Sequence, residues 1–349
     1  MATSIVGIDV GSSTVRAVEV ADPAKARPTL LRHFEVPLPE GAVSRGEVLE
    51  PNTVAASLRR LWQQGGFKSK DVVLGMGNQR VLARDLTVPR MSRTRIREAL
   101  PFQVQDMLPV PVAEALLDFY PVSEGMSDNG PVVNGLLVAA VKEAVLGNVK
   151  ATQLAGLTTV DVDLIPFALS RILISRARIG GTVALIEIGA NTTSVVVVTD
   201  GVPQFVRIIP AGGAELTQAL REGLGVELGE AERIKATIGL AKQVTTIEEQ
   251  QAVEIIYRVT SELLTSLRNT VSYFVNTRPN NPVSGLVVTG GGAQLPGLTD
   301  ALSEMTRLPV AVGDPFHAVA LSRSLNADAL RQNRSALTVA LGLALGSAA

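Results

Sequence analysis

Three glycine-bearing turns hold most of the residues in this chain that could handle a charged ligand. The first is Asp9-Val10-Gly11-Ser12-Ser13-Thr14-Val15-Arg16. Gly11 lets a backbone come close to a ligand, and the hydroxyls and successive amides of Ser12, Ser13 and Thr14 form a nest for phosphate oxygens. Asp9 could hold Mg²⁺ through water, because that ion keeps most of its waters and takes few carboxylates. Arg16 could reach a phosphate. The second turn, Glu187-Ile188-Gly189-Ala190-Asn191-Thr192-Thr193, repeats the acid, the glycine and the hydroxyls. Either turn alone is more often an ordinary hairpin. Their recurrence makes them a matched pair that could clasp a polyphosphate from two sides.

The third turn, Thr289-Gly290-Gly291-Gly292-Ala293, follows an apolar run and leads into Gln294-Leu295-Pro296-Gly297. Bare backbone of this kind accepts a flat ring. Glu232 and Lys235, at i and i+3, share a helix face and could bracket ribose hydroxyls; a plain surface ion pair explains them equally well. Arg80, Arg84, Arg90, Arg93, Arg95 and Arg97 could meet an acidic partner or anionic headgroups, although a solvated face is the commoner meaning of such a run.

These turns need strands to hold them. The spacing predicts strands Ser4–Asp9, Thr14–Ala21 and Thr29–Val36, then a helix Thr53–Gln64 capped by Asn52. The same order returns as strands Thr182–Ile188, Thr192–Thr199 and Val202–Ile209 and a helix from Gly213 to Glu222, which marks an internal duplication of long period. Between the copies, Arg80–Leu157 reads differently. It gives strand Val81–Val88, helix Ser92–Met107 broken by Pro101 after Leu100, strands Leu116–Val122 and Val132–Val141 joined by a Glu124–Pro131 turn, and helix Lys142–Ala155. After the second copy come helices Glu230–Leu240 and Thr246–Asn276, strand Gly285–Thr289 and a closing helix Ser335–Gly346.

Composition narrows the classes. The chain has 349 residues, 46% hydrophobic but only 3% aromatic, with a net charge of −1. That suits two or three domains with aliphatic cores and leaves no basic field for nucleic acid. Cysteine is absent and histidine is limited to His33 and His317, which excludes disulfides, thiol catalysis and cysteine–zinc sites. No apolar run reaches the ~18 residues of a membrane helix. The start at Met1-Ala2 lacks a signal-peptide pattern, so a cytoplasmic protein is expected.

Together the turns resemble the actin-like ATPase superfamily. Gly7-Ile8-Asp9-Val10-Gly11-Ser12-Ser13 is similar to its phosphate-1 motif, Ile186-Glu187-Ile188-Gly189-Ala190-Asn191-Thr192-Thr193 to phosphate-2, and Val288-Thr289-Gly290-Gly291-Gly292-Ala293 to the adenosine motif. Within it, the chain resembles the PilM-type pilus assembly family through Val18-Glu19-Val20, Asp85-Leu86-Thr87-Val88-Pro89-Arg90-Met91, Leu108-Pro109-Val110-Pro111, Leu117-Asp118-Phe119 and Ala340-Leu341-Gly342-Leu343-Ala344-Leu345.

The resemblance implies an α/β actin-like ATPase fold of two RNase-H-like domains with an inserted FtsA-like 1C subdomain. Its expected bounds are 1–79 for the first part of domain I, 80–157 for 1C, 158–180 for domain I again, 181–329 for domain II and 330–349 for a helix returning to domain I. It implies ATP or ADP with Mg²⁺, bound by Gly11, Ser12, Ser13, Thr14, Arg16, Gly189, Ala190, Asn191, Thr192, Thr193, Gly213, Glu232, Lys235, Gly290, Gly291, Gly292 and Gln294. Asp9 and Glu187 would hold the metal through water, and with Asp163 they are the catalytic candidates. Where relatives place a water-orienting polar residue this chain has Ile165-Pro166, with Asp163 the nearest acid, so slow or no hydrolysis is expected and at most a weak ATPase. Glu187 stands where Asp is usual, and Arg16 where Lys is common.

Ser347-Ala348-Ala349 carries no amphipathic tail, so attachment to the inner face of the membrane is expected through a partner. That partner would be the N-terminal cytoplasmic peptide of a PilN-like protein, in a groove along Arg84–Leu108. PilO-like, platform and assembly-ATPase proteins are further expected partners, and self-association is left open. A small-molecule kinase of the same superfamily and an FtsA-like filament protein are the alternatives.

Overall fold

The computed structural model describes residues 3–240 and 246–346; Met1-Ala2 and Ser347–Ala349, on which two of the readings above fall, lie outside them. The chain begins as a meander of β1 (Ser4–Val10), β2 (Thr14–Ala21) and β3 (Thr29–Pro37), followed by the small hairpin β4 (Val43–Ser44) and β5 (Glu47–Val48). Helix α1 (Pro51–Gly65) then leads to β6 (Asp71–Met76), parallel to β1. The helix starts earlier than expected. Its N-cap is Glu50 rather than Asn52, because Pro51 supplies a preorganised first turn where its missing N–H costs nothing.

An inserted unit follows: β7 (Val81–Pro89), α2 (Arg93–Gln103), β8 (Ala115–Ser127) and β9 (Gly130–Val141), paired antiparallel in the order β7-β9-β8. Two expectations change here. Helix α2 runs through Pro101 to Gln103, since a proline this near the end removes little of the ladder. The Glu124–Pro131 segment is mostly strand, with pairing continuing to Ser127 opposite Gly130, so the turn is only Asp128-Asn129 and Gly130 takes its positive φ. The chain then returns through α3 (Lys142–Leu154) to β10 (Thr158–Leu164), which pairs with β6, and through α4 (Ile165–Ser170) into a π-helical turn at Arg171–Ser175.

The second domain repeats the meander as β11 (Thr182–Ile188), β12 (Thr193–Thr199) and β13 (Val202–Ile209). It continues with α5 (Gly213–Leu224), α6 (Leu228–Ile238), α7 (Ile247–Thr277), β14 (Gly285–Thr289), α8 (Leu298–Thr306) and β15 (Val310–Val312). The chain re-enters the first sheet at β16 (Ala320–Leu321), ahead of residue 330, and closes with α9 (Ala327–Gln332) and α10 (Arg334–Ala344). The sheet orders are β10-β6-β1-β2-β3-β16 and β13-β12-β11-β14-β15. Setting β16 aside, the two sheets share one topology, as the duplication requires.

Both sheets are covered on both faces, so their central strands are apolar throughout; β12 is buried at every position but its last. Helix α10 lies against β1, β2 and α4 near the join of the domains. It comes so close that a Cβ on Gly7 would enter the Ala340 carbonyl oxygen and sit 2.7 Å from the Ala344 nitrogen. One charge is fully buried in the first domain. Glu19 accepts from the Ser4 hydroxyl at 2.8 Å and from the amides of Lys68 and Ser69 at 3.1 and 3.2 Å, and Arg32 Nε lies 3.3 Å away.

Candidate functional site

The two matched turns are built alike. Gly11 donates its N–H to Thr14 O at 3.0 Å, and Gly189 donates its own to Thr192 O at 2.9 Å. In each, the acid sits two residues before the glycine on the first strand of a meander. The turns face one another, because Asn191 Nδ2 donates to Ser12 Oγ at 2.8 Å across 179 residues of sequence. The first sheet thus places Asp9, Gly11–Thr14 and Arg16 on one side. The second places Glu187 and Gly189–Thr193 on the other.

Helix α5 starts directly on the second turn. Gly213 N–H donates to Gly189 O at 2.9 Å and Ala214 N–H to Ala190 O at 2.8 Å, while Thr193 Oγ1 donates to Ala211 O at 2.8 Å. Lys235 reaches back from α6, with Nζ 2.6 Å from Thr217 Oγ1, 3.3 Å from Gly213 O and 2.7 Å from Glu232 Oε2. Thr217 Oγ1 also lies 2.6 Å from Glu232 Oε1. Glu232 and Lys235 are therefore tied to the start of α5 rather than free on a surface, beside Gly213.

The third turn closes over Glu187. Gly290 has φ +89°, and a Cβ there would enter the Ile188 carbonyl oxygen and lie 2.9 Å from Glu187 Oε1. A Cβ on Gly292 would meet the Ile188 side chain, whereas one on Gly291 would meet nothing within 4 Å. Gln294 follows in a short 3₁₀ turn, its N–H donating to Gly291 O at 3.2 Å.

The site is short of positive charge. Arg16 Nη1 lies 3.8 Å from Asp9 Oδ2, but its Nε is held by Glu35 at 2.8 Å. Burial raises the Asp9 carboxyl above its ordinary range, with Arg16 opposing. Burial, then the nearby Asp9 charge, pushes Glu187 up to about 8, again against Arg16. A divalent cation is the ordinary remedy for two facing carboxylates with one shared guanidinium.

This has a consequence for stability. Unfolded Glu187 loses its proton near 4.5 and folded Glu187 near 8. In that window the cation-free folded chain binds the extra proton, so stability falls as pH rises through it. Denaturation midpoints measured across the window are expected to show this slope, and Glu187→Gln to flatten it; an unchanged slope in the variant would place the titration elsewhere.

Asp163 stands apart from the other candidates. Its Oδ2 is 2.9 Å from Arg171 Nη2, and the charges that shift it are Arg171 and Asp161 rather than Asp9 or Glu187; burial, the larger effect, raises it. The arginine run is dispersed. Arg80 pairs with Glu47 at 3.0 Å, Arg90 with Glu124 at 3.2 Å and Arg97 with Asp118 at 3.6 Å, while Arg84 donates to Met107 O at 3.3 Å.

A cavity of about 450 Å³ lies where the sequence carries no signal for one. It is lined from three places: Tyr120 and Val138 of the inserted unit, Asp163, Phe167 and Arg171 of the first domain, and Gly201 and Pro203 of the second. The segment Arg84–Leu108, by contrast, closes over a small core of Val88, Ile96, Leu100 and Val104 with Phe119 and Leu137, on the other face of the three-stranded sheet. Residues so far apart in sequence leave no local pattern from which such a cavity could be read.

Comparison with known proteins agrees with this architecture. Residues 7–348 match the family described as type IV pilus assembly protein PilM. A solved PilM-PilN type IV pilus biogenesis complex superposes with a TM-score of 0.87 at 28% identity, covering 100% of both chains. The cell division protein FtsA of Bacillus subtilis is 23% identical over 89% of this chain and 78% of its own length. MreB5 of Spiroplasma citri bound to AMPPNP shares the fold at 11% identity and a TM-score of 0.55, with 97% of this chain and 94% of that one covered. The fold is thus the actin-like ATPase fold, with two related domains and an inserted unit, and the chain belongs to the PilM family of type IV pilus assembly proteins.

Proposed function

We propose that this chain is a nucleotide-binding scaffold of the type IV pilus inner-membrane platform. It binds ATP or ADP with Mg²⁺ in the cleft between the two turns, and the N-terminal cytoplasmic tail of a PilN-like protein beside the inserted subdomain. The observation that carries the nucleotide reading is the facing pair of equivalent turns, bridged by Asn191 and Ser12, with uncovered glycine backbone at Gly291. The metal fits the donor set: Asp9 and Glu187 are carboxylates short of positive charge, and they would hold Mg²⁺ through its waters while it neutralises the phosphates. Among the described residues no cluster of three or more candidate ligands exists, which suits a water-held ion completed by phosphate oxygens.

The partner reading draws on the PilM-PilN relative. The three-sided cavity is the place we assign to the tail, in preference to the face covered by α2. No helix among the described residues is long and apolar enough to cross a membrane, so a membrane-held tail would supply the attachment. Turnover is expected to be slow or absent. α4 opens with Ile165-Pro166, which offers no group to orient water, and Asp163 is engaged by Arg171. Loss of such a group lowers a rate by about 10²–10⁴-fold.

The test is calorimetric titration with Mg·ATP and with a synthetic PilN-like N-terminal peptide, each alone and then together. Both are expected to bind, with each changing the other's affinity by one common factor. Asp9→Ala is expected to weaken the Mg²⁺-dependent part of nucleotide binding by about 10–100-fold, as loss of an outer-shell ligand does. Absence of nucleotide binding in the unaltered protein would overturn the first half of the proposal, and absence of peptide binding the second.

A further inference from the structure

The two domains are joined covalently by only two crossings, one at the π-helical turn after α4 and one between β15 and β16. With α4 packed on β12 and β13 beside these crossings, the motion of least cost is a rotation about the line through them. The inserted unit adds a third link, made by neither crossing. It is rooted in the first domain on both sides. The Asn78 carboxamide oxygen accepts from the Arg80 amide at 3.0 Å, Val141 N–H donates to Arg80 O at 3.1 Å, and Arg80 pairs with Glu47. From that root, β7 packs against β13 of the second domain. There Asp85 Oδ1 meets Arg278 Nη2 at 2.6 Å, across 193 residues of sequence. Arg278 caps the end of α7 and is set in advance, its guanidinium lying 5.1 Å over the ring of the fully buried Phe274.

We infer that the inserted unit is a strap, fastened to the second domain by Asp85 and Arg278, that limits how far the domains rotate and so keeps the two turns of the cleft facing each other. The inference goes beyond the proposed function, and its first readout uses no ligand. The chain has no cysteine, so Gln63→Cys on α1 and Glu262→Cys on α7 provide the sole thiols for paired spin labels. Asp85 has a side chain 68% exposed, which makes Asp85→Ala a variant that leaves packing intact.

The interdomain distance distribution is expected to be narrow in the doubly labelled parent and broader in Asp85→Ala. Arg278→Ala should broaden it equally, and the double variant no further than either alone. A distribution unchanged in Asp85→Ala would overturn the inference, as would additive broadening in the double variant. Nucleotide affinity is the second readout and rests on the nucleotide reading: each single variant is expected to weaken it by about two- to fivefold, the scale of a partly exposed ion pair. A parent that binds no nucleotide would sink that reading and leave the distance measurement to decide the strap.

Discussion

Gly7→Val is expected to prevent stable folding. Gly7 sits in the middle of β1, the strand that carries Asp9, and α10 lies flat on it with no side chain between the backbones. Any Cβ there would enter the Ala340 carbonyl oxygen and crowd the Ala344 nitrogen. Neither neighbour is a flexible side chain that could swing away. The helix cannot retreat either, because its other face is equally close: a Cβ on Gly342 would meet the Ala168 carbonyl carbon of α4 at 2.8 Å. Ordinary overpacking costs about 1–3 kcal/mol; a backbone collision at the centre of two clamped elements is expected to exceed about 4 kcal/mol. Urea unfolding followed by Trp62, the one tryptophan of the chain, gives the answer. A midpoint close to that of the unaltered protein would mean that α10 is not seated on β1 as described.

Gly290→Val is expected to abolish nucleotide binding and to destabilise the second domain by about 2–5 kcal/mol. Two costs add. The backbone is at φ +89°, where a β-branched residue is strained by about 1–2 kcal/mol, and the new side chain meets Ile188 and the Glu187 carboxylate, an overpacking of about 1–3 kcal/mol. The only relief is to move the third turn away from β11, which opens the surface on which a base would lie. Gly291→Ala is the matched control, since a Cβ there meets no protein atom. It should leave the melting temperature unchanged and weaken nucleotide alone. Equal melting temperatures for Gly290→Val and its control would refute the account of the turn.

The meanders were legible in the sequence because their signals are local. β-branched residues bounded by turn-formers mark β2 and β12, and the acid–glycine–hydroxyl order marks both turns. The strands without such local signals share a different character. β6 reads Asp71-Val72-Val73-Leu74-Gly75-Met76, a short apolar run with no alternation because both faces are covered. β10 carries Asp161 and Asp163 and reads as polar. β15 and β16 are too short to signal at all. The Glu124–Pro131 segment reads as a turn because Gly125, Ser127, Asp128 and Gly130 are turn-formers, yet β9 pairs with it from Glu124 to Ser127. Asp163 stands among the catalytic candidates by its position in sequence; Arg171, which engages it, lies beyond α4 in the π-helical turn, and no local signal pairs the two. Sequence marks the glycines by type alone, and only the approach of Ile188 to Gly290 and of Ala340 to Gly7 shows what each is for.

The position of α10 also bears on how the chain is made. β1 leaves the ribosome ahead of every other element described above, and the helix that fits against Gly7 comes after residue 333. Until then the floor of the first sheet beneath β1 and β2 lacks its covering, although the inserted unit, the second domain and the α4 on which β12 and β13 pack have all emerged. The first domain is therefore a late folder although its strands β1–β3 precede the second domain, and those strands must wait with an apolar face exposed. Chaperone dependence during synthesis should track the interval between β1 and α10, and a chain stalled before α10 should expose its N-terminal third, rather than its C-terminal part, to protease.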